Sequence, residues 1–307
     1  MFVFCMTDFN FALMKKIFML VVAIAGISMG AHAQLLWKIS GKNLEKPSYV
    51  FGTHHVAPLS IVDSIPEMGT VISATEQVYG EIDMLSMQSS MQQMAMAMML
   101  PSDTTLLDLL GEKVYVEVDS VMAHYRLGGL GNPAMRRMKP AALSSLLAVA
   151  MCREALPEFD PTQQLDTYFQ LQAREAGKPV GGLETAQQQI KILYGAPLRR
   201  QAEQLACVVE NADWNVALMK SLGDAYMRQD LDALEELMSQ KLGGACDSTP
   251  EEDEMLVGGR NDVWMKQMPK IMEAHSTLFV VGVGHLVGER GLLRQLQKCG
   301  YQVEGIR

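Results

Sequence analysis

The sequence predicts an α/β protein with a mixed, mostly parallel central sheet, flanking helices and a large helical insertion that covers the carboxyl-terminal rim of the strands. Three observations predict this class. Strand-like apolar runs lie near both ends of the chain, a strand, a helix and a strand follow one another early, and a long stretch of helical periodicity separates the two ends. Helices inserted between the strands of one sheet are typical of α/β domains.

The first elements are short. Residues 35–39 (LLWKI) and 48–52 (SYVFG) are apolar runs joined by the turn-rich residues 41–47, which predicts a hairpin. Residues 61–75 have a helical pattern, and residues 77–82 (QVYGEI) return to strand character. A strand, a helix and a strand in this order predict a βαβ unit with a parallel pair.

A helical insertion follows over about residues 84–176. Its first helix carries methionines at spacings of three and four, namely Met84, Met87, Met91, Met94 and Met98. Thioethers suit Cu(I), but methionines at helical spacing more often pack in a core, form a lid or line a peptide groove, and we favour that interpretation. Further helices are predicted over residues 104–110, 114–125, 140–152 and 163–176.

The remaining elements return to the sheet. Residues 178–183 predict a strand with Glu184 at its exit. The last predicted strands are residues 277–283, which are strongly β in composition, and residues 301–303. Helices are predicted over residues 186–194, 197–222, 231–241, 251–274 and 289–298.

The beginning of the chain predicts export. Two lysines precede the apolar residues 17–27, and the small-residue site Ala31-His32-Ala33 marks cleavage after Ala33. We interpret residues 1–33 as an upstream extension plus a signal peptide whose start is Met14, and residues 34–307 as a single domain. The apolar run is shorter than the ~20 residues of a membrane span. We therefore expect a periplasmic or secreted protein without stable membrane insertion.

Charge and cysteines narrow the class of protein. The formal net charge of −9 argues against a nucleic-acid-binding protein, because such proteins bind phosphates through clustered basic side chains. Four cysteines follow the predicted signal, and an even number in an oxidising compartment allows up to two disulfides. Cys207 with Cys246 is the first candidate pair, and the pairing among Cys152, Cys207, Cys246 and Cys299 stays open.

Two Gly-x-x-His patterns mark the candidate site. Gly52-Thr53-His54-His55 and Gly282-Val283-Gly284-His285 each come directly after an apolar strand. A glycine at a strand exit permits a tight turn, and ligands of open α/β sheets bind at the carboxyl ends of the strands. Glu81 ends the strand-like QVYGEI, Asp83 lies on the same face if that strand continues, and Glu184 ends another strand.

Two imidazoles and a carboxylate suit a divalent ion. His55, His285 and Glu81 are the predicted ligands of Zn, Mn, Co or Fe(II), whose identity stays open. Such an ion lowers the pKa of a water molecule and polarises a carbonyl, while a second carboxylate, Glu184, takes a proton. Glu81, Glu184 and Arg260 are thus the predicted catalytic residues, with Arg260 stabilising charge. Further pocket candidates are Gly52, His54, Asp83, Gln188, Asn261 and Gly282.

The chain resembles the TraB/GumN family, within a superfamily that includes Tiki-like metalloproteases, erythromycin esterases and a haem-binding iron-uptake lipoprotein family. The resemblance runs from residue 35 to the carboxyl terminus. The residues that carry it are LLWKI, SYVFGT with Gly52 and His55, Glu81 in YGEID, Gly182 to Thr185 with Gln188, Arg260-Asn261 followed by Trp264, and VVGVGHL with His285 and Leu286. The resemblance implies an α/β fold with paired Gly-x-x-His motifs and a metal-dependent peptidase that acts on peptides or proteins.

Other interpretations remain open for the same residues. Each histidine could hydrogen-bond in the core, Glu81 could pair structurally with Arg260, and Glu184 could cap the following helix. Arg260 could also hold a substrate carboxylate, or be a solvated surface residue. The whole chain could be a non-catalytic protein that binds haem or a metal, or a scaffold that binds a peptide or a polysaccharide-export partner. An erythromycin-esterase-like activity is a narrower form of the hydrolase hypothesis.

Overall fold

A six-stranded mixed sheet forms the centre of the computed structural model, which describes residues 34–306. The predicted signal peptide lies outside these residues. The strands are β1 (Leu36–Ser40), β2 (Ser48–Thr53), β3 (Gln77–Gly80), β4 (Val180–Gly182), β5 (Thr277–Gly282) and β6 (Gln302–Ile306), and their order across the sheet is β4-β3-β5-β2-β1-β6. The pairs β4-β3, β3-β5 and β5-β2 are parallel, so the predicted mostly parallel α/β class is confirmed.

The antiparallel side of the sheet joins the two ends of the described chain. β1 and β2 form the predicted hairpin, with Leu36 opposite Phe51. β6 pairs with the other edge of β1, with Ile306 opposite Leu36. β6 begins and ends later than predicted, because the pairing with β1 extends it to Ile306.

The expected βαβ unit does not contain adjacent strands. β2 and β3 are parallel, but β5 lies between them and pairs with both. The first five residues of β5 are fully buried, and such a continuous apolar strand belongs in the middle of a parallel sheet. The prediction of a directly paired β2 and β3 was therefore wrong, since the strand that separates them comes about 200 residues later in the sequence.

Fifteen α-helices flank or extend the sheet among the described residues. They are α1 (Met68–Ala74), α2 (Met84–Ser89), α3 (Met91–Ala97), α4 (Leu106–His124), α5 (Pro133–Arg136), α6 (Pro140–Ala155), α7 (Leu165–Glu175), α8 (Ala186–Tyr194), α9 (Leu198–Glu210), α10 (Ala212–Met227), α11 (Leu231–Met238), α12 (Pro250–Asp253), α13 (Gly259–Trp264), α14 (Met268–Ala274) and α15 (Leu292–Lys298). A π-helical turn, Glu254–Gly258, leads into α13, and 3₁₀ turns cover Leu59–Ser64, Gly244–Cys246 and Val283–His285.

Several predicted helices are divided differently in the structure. The methionine-rich segment breaks at Ser90 into α2 and α3. The predicted helix 197–222 breaks at Asn211 into α9 and α10. In α4 the predicted division holds, because the non-helical backbone of Gly111, with a φ of 72°, separates two helices where the sequence predicted residues 104–110 and 114–125.

Helices α4 and α6, which lie between β3 and β4 in the sequence, share a second core with α9, which follows β4. Leu106, Val118 and Met122 of α4 pack with Leu147 of α6 and Leu205 of α9, apart from the core formed around the sheet. Burial of one such side chain contributes about 1.5–3 kcal/mol. The insertion is thus a stable wall beside the sheet rather than a loose loop.

A disulfide and two free thiols account for the described cysteines. Cys207 and Cys246 form a disulfide that joins α9 to the Gly244–Cys246 turn, which confirms the first candidate pair. Cys152 is buried and Cys299 is exposed, and both thiols are free. Within residues 34–306, no helix combines the length and the apolar character that a bilayer crossing requires.

Candidate functional site

Four parallel strands deliver polar side chains to one edge of the sheet. β2, β5, β3 and β4 run in the same direction, so their carboxyl ends share an edge. His55 follows β2, His285 follows β5, Glu81 follows β3 and Glu184 follows β4. Glu81, Glu184 and His285 converge on Arg260, whereas His55 shares only a cavity wall with Glu81 and Arg260.

Glu81 is held at the centre of this edge. Its Oε1 accepts the backbone N–H of Gly282 at 2.9 Å, and a Cβ built on Gly282 would lie 3.1 Å from the same oxygen. A side chain at position 282 would crowd the carboxylate, so the glycine permits the close approach. Burial opposes the charge of Glu81, but His285, Arg260 and the Gly282 N–H outweigh it and lower its pKa.

Arg260 of α13 is the cation at the middle of the cluster. Its Nη2 donates to Glu81 Oε2 at 2.5 Å and to Glu184 Oε1, and its Nε donates to Glu184 Oε2 at 3.2 Å. Its Nη1 donates to the carbonyl of Leu256 at 3.0 Å and faces His285 Nε2 at 3.0 Å. A guanidinium has five N–H donors, so these five contacts use all of them. In this arrangement Arg260 positions the two carboxylates and His285.

His285 is fixed by Asn261. The Nδ2 of Asn261 donates to the carbonyl oxygens of His285 and Arg290, at 3.1 and 2.9 Å. Its Oδ1 therefore accepts from His285 Nδ1 at 2.7 Å, which leaves Nε2 of the ring with its lone pair. Burial lowers the pKa of His285 to about 4, and Trp264 packs against the ring at 4.3 Å between centroids.

His55 has a partner that the sequence analysis missed. Its Nδ1 lies 3.4 Å from Asp166 Oδ2, and Thr53 Oγ1 donates to the other carboxylate oxygen at 3.2 Å. The interaction with Asp166 raises the pKa of His55 to about 8, although 69% of the ring is exposed. Asp166 is the second residue of α7, in a segment predicted only as a helix, and no local motif singles it out.

His54 packs against α10. Its ring packs against Tyr226 at 5.4 Å between centroids, and the Tyr226 hydroxyl donates to the carbonyl of Gly52. Burial lowers the pKa of His54 to about 4. A Cβ on Gly52 would lie 2.7 Å from Leu286, so this glycine serves the packing of β2 against the turn that carries His285.

Two further predicted residues, Asp83 and Gln188, have structural partners. β3 ends at Gly80, so Asp83 is not on a continuing strand: it caps α2 through the Leu85 N–H and pairs with Arg174 at 2.6 Å. Thr185, not Glu184, caps α8, and Gln188 completes that capping box. Gln189 is the glutamine that reaches the site, where it donates to Glu81 at 3.1 Å and to Glu184 at 3.2 Å.

Two cavities adjoin Arg260. One of about 550 Å³ has His55, Glu81 and Arg260 in its wall and extends beneath α2 and α3. The other, of about 380 Å³, lies beside Glu184, Trp264 and the same arginine. Volumes of this size are typical of ligand pockets, which usually range from about 300 to 1,000 Å³.

Parts of the edge fit a divalent ion. His285 Nε2 and Glu81 Oε1 face each other at 3.7 Å, close to the roughly 3.4 Å between two ligands of a tetrahedral zinc ion. Both His55 and His285 have Nδ1 directed at a side-chain oxygen, the arrangement that orients metal-binding imidazoles. Among residues 34–306, however, no three His, Cys, Asp or Glu side chains are close enough together to hold an ion.

Comparison with known protein families gives a match over nearly the whole chain. The family model described as the TraB/PrgY/gumN family matches residues 35–305. This span includes both Gly-x-x-His motifs and every side chain of the cluster around Arg260. No curated protein and no solved structure matches the chain.

Proposed function

This chain belongs to the TraB/PrgY/gumN family, and from that membership we propose that it is an exported, metal-dependent hydrolase, a peptidase acting on peptide or protein substrates. The observation that supports this proposal most is the pair of anchored imidazoles. His55 and His285 come from opposite ends of the chain and follow neighbouring parallel strands, and His285 lies beside the buried carboxylate of Glu81. A structural core does not require such a convergence of polar groups.

The proposed ligands are His55, His285 and Glu81. When bound, a divalent ion supplies a Lewis acid and a water molecule of lowered pKa. Asn261 holds His285 in the tautomer with a lone pair on Nε2, and Asp166 orients His55. Arg260 contacts both Glu81 and His285, so its guanidinium has to withdraw from these contacts for an ion to bind there.

The predicted roles of Glu184 and Arg260 follow from the same movement. Both carboxylate oxygens of Glu184 accept hydrogen bonds from Arg260, and these bonds prevent Glu184 from accepting a proton from the substrate. Withdrawal of the guanidinium frees Glu184 to act as general base. It also frees the N–H groups of Arg260 to bind the negative charge that develops on a substrate carbonyl.

A peptide digest tests the proposal. We expect the purified chain to cleave members of a peptide library, and expect a chelator to stop the cleavage. His55→Ala, Glu81→Ala and His285→Ala should each abolish it without loss of fold. His124→Ala is the matched control, because His124 is an exposed histidine at the end of α4 that pairs with Glu154. Cleavage that survives chelation or the double-histidine substitution would overturn the proposal.

A haem-binding function is the second candidate, and the large cavity favours it. The exposed imidazole of His55 and the thioethers of Met84, Met87 and Met94 line the same 550 Å³ space, and imidazole and thioether are both axial ligands of haem. Haem binding predicts a Soret band on addition of haem that His55→Ala removes. Absence of this band, together with chelator-sensitive cleavage, would favour the hydrolase.

A further inference from the structure

The 550 Å³ cavity has two chemically different walls. The polar lining, the polar wall, contains the site residues His55, Glu81, Asp166 and Arg260 together with a serine and three glutamines. The apolar lining, the apolar wall, is formed mainly by Met84, Met87, Met94, Ile192, Leu193 and Leu256. We call this cavity the methionine chamber. Its apolar wall comes from α2 and α3, from α8 and from the π-helical turn Glu254–Gly258.

The methionines of this wall are not core residues. α3 has no fully buried residue among those described, and Met84, Met87 and Met94 are each half-buried. Three of the five methionines of the predicted stripe therefore face this space, whereas Met91 is 66% exposed and Met98 packs against neighbouring helices. Methionine is unbranched and polarisable, so a wall of methionines adapts to apolar groups of different shapes.

The charges in the chamber are already paired within residues 34–306. His55 is opposite Asp166, and Glu81 binds Arg260, whose five donors all have partners. A charged side chain of a ligand would have to compete with these existing ion pairs for its partner. An apolar side chain, in contrast, would remove both itself and the methionine side chains from water.

We propose that the methionine chamber is the specificity pocket of the enzyme and selects substrates with a bulky apolar residue next to the cleaved bond. This inference rests on the proposed hydrolase function. The apolar wall and the polar wall belong to one cavity, so an apolar side chain seated against Met87 and Met94 holds its own peptide group beside His55 and Glu81. The occupant is therefore part of the substrate, and a bulky residue such as phenylalanine or leucine fits the wall.

The test changes the polarity of the wall and keeps its shape. Met87→Gln with Met94→Gln introduces amides of similar length, and Met96→Gln is the matched control because Met96 lies on α3 but is 71% exposed and outside the chamber. With peptide pairs that differ only in phenylalanine or alanine beside the cleaved bond, we expect the ratio of kcat/KM to fall about tenfold in the double variant. The control should keep the wild-type ratio. Equal ratios in all three proteins would overturn the proposal.

A binding measurement separates this proposal from the proposed function. Fluorescein-labelled peptides containing either Phe-Leu or Ser-Ser at their centre are titrated into the His55→Ala variant with and without Met87→Gln and Met94→Gln. Preferential binding of the Phe-Leu peptide that the glutamines abolish supports the chamber as the recognition site, even if the wild-type chain cleaves neither peptide. Equal binding of the two peptides would refute it, even if cleavage occurs elsewhere.

Discussion

Replacing Arg260 with alanine tests whether its guanidinium neutralises the buried carboxylates of Glu81 and Glu184. Glu81 and Glu184 are 12% and 5% exposed, and the Arg260 guanidinium is the cation that contacts both carboxylates. Removing one partner from such a buried group of charges leaves uncompensated charge and costs about 3–5 kcal/mol. For a chain of this size, 1 kcal/mol shifts the midpoint of thermal unfolding by about 2–4 °C. We therefore expect Arg260→Ala to lower Tm by about 10 °C.

Arg174→Ala is the matched control for this measurement. Arg174 pairs with Asp83 at 2.6 Å on the same side of the sheet, but the two side chains are 31% and 30% exposed. Solvent-exposed pairs contribute about 0–1 kcal/mol, so the control should lose at most a few degrees. Both variants are followed by circular dichroism during heating in the presence of a chelator. Equal losses of Tm in the two variants would refute the view that Arg260 neutralises a buried cluster.

Replacing the chelator with Mn²⁺ or Zn²⁺ extends the same experiment. Without the guanidinium, the carboxylates and Nε2 of His285 are open to a cation. A ligand that binds only the folded chain stabilises it by about 2.7 kcal/mol at a concentration 100-fold above its Kd. We expect divalent ions to restore much of the lost Tm in Arg260→Ala, whereas Arg174→Ala should respond as the wild-type chain does.

Three further predictions concern single interactions. Asp166→Asn removes the charge that orients His55 and should reduce cleavage about 10- to 100-fold with little change in Tm. Burial lowers the pKa of His54 to about 4, so the unfolded chain binds this proton at a higher pH than the folded chain does, and the free energy of unfolding decreases as the pH falls below the ordinary pKa of 6.5. In urea titrations, the free energy of unfolding of His54→Gln should therefore decrease by about 2 kcal/mol less than that of the wild-type chain between pH 7 and pH 5. The disulfide of Cys207 and Cys246 closes a loop with a sequence separation of 39, and Cys207→Ser with Cys246→Ser should cost about 2–4 kcal/mol in the same titrations.

Each of these has a clear contradictory result. Full activity of Asp166→Asn would mean that the aspartate does not orient the imidazole. An acid loss of stability that is the same in His54→Gln as in the wild-type chain would show that other groups control it. A double serine variant as stable as the oxidised wild-type chain would remove any stabilising role of the disulfide.

The strand exits of the site could be predicted from the sequence because their signals are local. An apolar run followed by Gly-x-x-His indicates both the strand and the end at which its histidine lies. The strand-like segments before Glu81 and Glu184 likewise predict that these two carboxylates lie at strand ends. Since carboxyl ends of parallel strands meet at one edge, the gathering of these residues followed from the fold class alone.

The partners of these residues could not be predicted, because they depend on distant packing. Asp166 lies 113 residues from Thr53, its hydrogen-bond partner, and belongs to a helix without a motif. Whether Gln188 or Gln189 reaches Glu81 and Glu184 depends on which face of α8 is directed at the sheet. The sequence identified Arg260 as a site residue. That all five of its N–H groups have partners within the protein depends on the π-helical turn before α13, and this turn has no recognisable sequence pattern.

Metal content after purification is the most direct test of the proposed centre. The account predicts about one equivalent of divalent ion bound per chain of residues 34–307, measured by elemental analysis after dialysis against metal-free buffer. The His55→Ala, His285→Ala double variant should lose it, and the His124→Ala variant should retain it. An equal metal content in the double-histidine variant and the wild-type chain would contradict the account.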